Sequence, residues 1–137
     1  MKMEFRIAMI CLVTIAVSGC AGVALKKEWS EKRGYSESEI SEVMDQMQPY
    51  RKRLIASDMA SNRFNTAPRQ AEEATLKTVW CNCWKKLKDK CQQSSKGLSQ
   101  EDRALWLKAN AVEMAFAAGE TALDARPNTK LDGAECP

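Results

Sequence analysis

The chain has 137 residues, 45% of them hydrophobic and only 7% aromatic, with a formal charge of +3. That length fits one small domain, which buries roughly 65% of its unfolded surface and folds with little margin. A charge of +3 is too weak a bias to indicate nucleic acid, and the absence of histidine removes the commonest general base, the Ser-His and Cys-His nucleophile pairs and the commonest metal ligand.

Lys2 and Arg6 form a short basic segment ahead of an apolar run, residues 7–17 (IAMICLVTIAV). At about 1.5 Å per residue the run is too short for a hydrocarbon core of about 30 Å, so it reads as a secretory signal peptide rather than a membrane span. The segment ends in Val17-Ser18-Gly19-Cys20. This resembles the bacterial lipobox, an aliphatic residue and two small residues before an obligatory cysteine. The resemblance covers about the first 20 residues. It implies removal of residues 1–19, a diacylglyceryl group on the Cys20 thiol and a palmitate-type acyl chain on its new amino group. Ala21 replaces the aspartate that retains lipoproteins in the inner membrane in enterobacterial-type sorting. The resemblance therefore implies the outer membrane, facing the periplasm, ahead of the inner membrane. The alternative is an ordinary signal peptide with Cys20 left as a thiol or a disulfide partner.

Residues 20–35 read as a lipidated N-terminus and tether, and residues 36–137 as the helical domain. In the tether, Lys26, Lys27, Lys32 and Arg33 sit near headgroups and Trp29 at the membrane interface if it forms a juxtamembrane helix. A solvated linker is the simpler reading. Ser36 and Glu39 have capping-box spacing, and Ile40, Val43, Met44 and Met47 then make an amphipathic stripe. Pro49 predicts an end or a kink near Gln48, with a second piece from Pro49 to about Asn62 carrying Leu54, Ile55 and Met59. Arg51, Lys52 and Arg53 form a basic cluster there, which suits a phosphate or an acidic partner but is more simply a solvated face.

Pro68 marks the first turn of the next helix, with Thr66 or Ala67 at its cap. Leu76, Val79, Trp80, Cys83, Trp84 and Leu87 share one face of it. Gly97 is a stop, and Ser99 with Asp102 opens a helix lined by Leu105, Ala109, Val112, Phe116 and Leu123. Gly119 and Ala122 lie beside that line, where small residues admit a close neighbour. No alternating strand pattern, internal repeat or Gly-rich phosphate loop is present. The expected fold is all-α, a small bundle of three to four helices.

Cys81, Cys83, Cys91 and Cys136 remain once Cys11 and Cys20 are set aside. Two disulfides suit an exported domain, while a four-thiolate zinc site lacks the usual Cys-x-x-Cys knuckles. Cys81 and Cys83 cannot pair on an intact helix. Cys83 and Cys91 would stand roughly 12 Å apart on a straight helix, against the 7 Å a disulfide permits. Either the helix stops near residues 87–89 and Cys91 folds back, or the bond is intermolecular. A tail running back along an antiparallel helix pair brings Cys136 to Cys81 or Cys83. Cys81–Cys136 with Cys83–Cys91 is the expected pairing, and the swapped pairing stays open.

No catalytic signature, cofactor motif or metal site stands out, so a non-enzymatic protein is expected. Its partners would be membrane lipid, through acylated Cys20, and an envelope protein that it binds or positions. In plan this is similar to the type II secretion pilotins and to exclusion lipoproteins, by architecture alone and without a matching motif. Two alternatives remain: thiol redox or metal binding through the four cysteines, and a carboxylate enzyme using Glu113 and Glu120.

Overall fold

The structure, a computed structural model, describes residues 26–118, 131 and 133–137. The leader, Cys20 and Ala21 lie outside the described residues, as do Gly119, Glu120, Ala122 and Leu123. The fold is the expected all-α bundle, with no sheet strand among the described residues. Helix α1 covers residues 26–33, α2 Glu37–Ala60, α3 Ala67–Leu87 and α4 Gln100–Ala118. A 3-10 turn, Lys88–Gln92, follows α3, and a second, Gly133–Glu135, lies in the tail. Helices α2, α3 and α4 pack pairwise around a common core.

Residues 29–35 correct the tether. Trp29 and Tyr35 are each only 3% exposed and belong to the bundle core. Their rings meet edge to face at 5.4 Å, and Tyr35 meets Trp106 at 5.3 Å. Trp29 therefore fills the protein interior, where it exchanges water for aromatic contacts, instead of standing at a membrane interface. Gly34 makes the reversal possible. Its φ of +68° is a left-handed value that glycine adopts without penalty, and the Tyr35 N–H donates back to the Trp29 carbonyl at 3.4 Å.

Helix α2 opens with the predicted capping box. The Glu39 N–H donates to Ser36 Oγ at 3.1 Å, and the Ser36 N–H donates to Glu39 Oε1 at 3.0 Å. The helix does not end at Pro49 but runs through it to Ala60. Proline removes one N–H and frees the Asp45 carbonyl, but Pro49 and Asp45 are both exposed, so water can satisfy it. Val43, Met47 and Leu54 are buried on either side of the proline, so both halves of the helix are anchored in the core. The stripe expected beyond it divides: Leu54 is buried, while Ile55 and Met59 face solvent.

Asn62 shapes the turn into α3, its Oδ1 accepting the N–H of Phe64 at 2.8 Å and of Asn65 at 2.9 Å. The first amides of α3 are met from outside the helix, Ala67 by Asn65 Oδ1 at 3.2 Å and Arg69 by Ser61 Oγ at 3.0 Å. Leu76, Trp80 and Cys83 are buried, and Val79, Trp84 and Leu87 half-buried, on the face expected. The indoles of Trp80 and Trp84 stack at 5.5 Å.

Helix α4 is capped as predicted, with the Asp102 N–H donating to Ser99 Oγ at 3.2 Å. It is buried on most sides: Trp106, Ala109, Asn110, Ala111, Val112, Met114, Ala115 and Phe116 are all inside. Its alanines let α2 and α3 approach closely, and so α4 becomes the centre of the molecule.

Candidate functional site

The described cysteines form two disulfides. Cys81 bonds Cys136 with Cα atoms 5.5 Å apart, and Cys83 bonds Cys91 at 6.0 Å. The second bond exists because α3 stops at Leu87. Lys88 takes a φ of +53° and the following 3-10 turn carries Cys91 back to the helix. The first bond returns the tail to the middle of α3, where Gly133 lies against Trp84. A β-carbon at 133 would overlap the indole, so only glycine allows this approach. Lys77 and Glu135 add an ion pair beside the bond.

A polar cluster joins α1, the 3-10 turn and α4. The Arg33 guanidinium donates twice to Glu113, once at 2.9 Å to Oε1, and lies 4.4 Å over the Trp29 ring. Gln92 Nε2 donates to the same Oε1 at 3.1 Å. Behind this pair is Asn110, only 1% exposed. Its Nδ2 donates to the carbonyls of Cys91 and Trp106, each at 2.8 Å, and its Oδ1 accepts the Tyr35 hydroxyl at 2.7 Å. Burial lowers the Arg33 pKa, but the Glu113 carboxylate outweighs this and the net shift is upward. Burial pushes the Tyr35 phenol up to about 12. Glu113 is thus held by fixed donors, and its expected companion Glu120 lies outside the described residues.

A second cluster surrounds Glu39. Besides the Ser36 N–H, its carboxylate accepts Ser95 N–H at 2.7 Å, Ser95 Oγ at 2.6 Å and Ser94 Oγ at 3.1 Å. Burial raises its pKa, but the bonds from Ser95, Ser36 and Ser94 outweigh that and bring it to about 2. One carboxylate therefore caps α2 and pins the loop before α4. The spacing of Ser36 and Glu39 revealed the cap, and nothing local revealed Ser94 and Ser95.

The basic trio of α2 separates. Arg53 pairs with Glu72 at 2.6 Å, Arg51 is half-buried and Lys52 is exposed. Arg69, which the sequence did not single out, is 5% exposed, and its guanidinium holds Asp58 and Glu73, each at 2.7 Å. No group of three or more metal-ligating side chains is assembled among the described residues. No described helix is long and apolar enough to cross a membrane. No protein-family model matches the chain, and neither does any curated protein or solved structure.

Proposed function

We propose that this protein is a lipid-anchored, non-catalytic binding module of the bacterial cell envelope, attached through acylated Cys20 and positioning an envelope protein. The observation that carries the reading is the use of the cysteines. Cys81, Cys83, Cys91 and Cys136 are consumed in pairs within the bundle. Such bonds belong to an oxidising compartment, beyond the inner membrane. Cys20 is left outside both bonds, at the end of a leader whose last four residues resemble a lipobox. Pairing of all four thiols also leaves no thiolate in the oxidised protein for zinc.

The carboxylates support a binding role over catalysis. Glu39 and Glu113 each receive several hydrogen bonds from fixed donors, and Glu42 pairs with Arg103. These are the bonds of structural groups rather than of an acid and a base facing a vacant substrate site. Two or three acyl chains on one residue make attachment effectively permanent. Ala21 favours the outer membrane, facing the periplasm.

Intact mass of the protein recovered from bacterial membranes tests the anchor. The expected species begins at Cys20 and carries diacylglyceryl and acyl groups, and Cys20→Ser abolishes both the added mass and membrane retention. A species cut elsewhere and free of lipid overturns it. Crosslinking in intact cells tests the binding role, which fails if no envelope protein is reproducibly recovered.

A further inference from the structure

Among the described residues, three large apolar side chains remain in water. Ile55 is 47% exposed, Met59 82% and Phe64 91%. They lie within ten positions of one another, at the α2–α3 end of the bundle. The local structure does not require them. The turn holding Phe64 is built by Asn62 and Asn65 through main-chain and amide hydrogen bonds. Ile55 and Met59 are one turn apart on α2, on the side away from Leu54.

The same stripe continues along the helix. At about 100° per residue, Glu37, Ser41, Gln48, Ile55 and Met59 fall within about 60° of one another, and Lys52 borders them. The start of α1 lies beside the far end of this stripe, where Lys26, Lys27 and Ser30 line an open groove with Glu37, Ile40 and Ser41. Lys26, Lys27, Lys52 and Arg63 are all exposed. Arg63 lies 5.5 Å over the Phe64 ring. The α2 stripe thus carries apolar tips with Lys52 beside them and Glu37 and Asp45 as acids on or next to it, and Arg63 and Phe64 follow in the turn at its end.

We propose that this side rests on an anionic phospholipid surface, with Met59 and Phe64 entering the headgroup region and Lys52 and Arg63 meeting phosphates. The inference rests on the lipid anchor and deepens it. Only residues 21–25 separate Cys20 from Lys26, a span of at most about 20 Å when fully extended. The anchor therefore keeps the start of α1 close to the bilayer. The cations then favour laying α2 along the surface over holding the bundle away from it.

Methionine oxidation in the full mature protein, purified from membranes and reconstituted into vesicles, tests this. Met47 and Met114 are buried and serve as internal references. In mixed phosphatidylethanolamine–phosphatidylglycerol vesicles, Met59 oxidises by peroxide at least about fivefold more slowly than in Lys52→Glu/Arg63→Glu protein in the same vesicles, since one basic residue near such a surface is worth about that factor. Equal rates in the two proteins overturn the proposal. Protection that disappears as the protein is diluted into excess lipid assigns the patch to a second copy and also overturns it. Intact mass separates this from the anchor. If no lipid is attached, flotation of the unanchored protein with the same vesicles, weakened by the double reversal, upholds the surface and retires the anchor, and no flotation overturns both.

Discussion

Arg33 and Glu113 join the first described helix to the central one, through two parallel hydrogen bonds between side chains only 20% and 17% exposed. A planar guanidinium meets a carboxylate bidentately, and the Trp29 ring covers its other surface. Arg33→Ala leaves Glu113 half-buried with Gln92 as its remaining side-chain partner among the described residues and removes the cation from Trp29. The expected loss is about 2–3 kcal/mol in chemical denaturation, with a smaller loss for Arg33→Lys, whose ammonium cannot form the fork. A loss under about 0.5 kcal/mol would mean that residues 26–33 are a tether after all.

The two disulfides should differ in cost and in accessibility. Cys81–Cys136 spans 55 positions and Cys83–Cys91 spans 8. Chain-entropy reasoning gives about 4 kcal/mol for the first and about 2.5 kcal/mol for the second. Cys83 and Cys91 are at most 1% exposed, whereas Cys136 is half-buried at the tail. Graded thiol reduction followed by alkylation and mass analysis should therefore open Cys81–Cys136 first. Cys81→Ser/Cys136→Ser should also destabilise more than Cys83→Ser/Cys91→Ser.

Stability should fall in acid through Glu39. Its folded pKa of about 2 is below the ordinary 4.5. A depressed carboxylate adds stability that is fully present above the unfolded value and is lost as pH falls through the folded one. The contribution is about 3 kcal/mol at neutral pH and disappears between about pH 4.5 and 2. Denaturation midpoints measured across that range should drop steeply in the native protein. In Glu39→Gln they should start lower and change less.

Lys88 offers a stabilising change. A side chain at φ +53° and ψ −131° occupies a region that favours glycine, at a cost of about 1–3 kcal/mol. Its side chain is exposed, so Lys88→Gly loses little packing. The expected gain is about 1 kcal/mol, reduced by the entropy that glycine adds to the unfolded chain. A rise in the thermal midpoint with both disulfides intact checks it, and a fall would show that the lysine conformation is not strained.

The elements that could be read before folding share a property: their signals are local. Ser36 with Glu39, Pro68, and Ser99 with Asp102 satisfy nearby backbone groups, and each begins a helix where its spacing says it should. The cysteine geometry was legible for a related reason. Helix rise forbids a Cys83–Cys91 bond on a straight helix, which left either a stop near residues 87–89 or an intermolecular bond, and the structure has the stop, at Leu87. Gly34 was the one local clue against a tether, because a reversal between Trp29 and Tyr35 can fold both rings back. Asn110 in an otherwise apolar stretch was the clue to the polar cluster.

Periodicity and capping, which act over a few residues, were enough to determine an all-α chain, while the choice of cysteine partners waited on the fold. Whether Pro49 ended a helix, whether Trp29 met water or protein, and which part of the α2 stripe stayed exposed were decided by packing in the assembled bundle. Those outcomes depend on residues far apart in the chain, Tyr35 with Asn110 and Glu39 with Ser95, whose contacts no local pattern encodes. A buried ring or carboxylate becomes favourable only when tertiary structure supplies its partners.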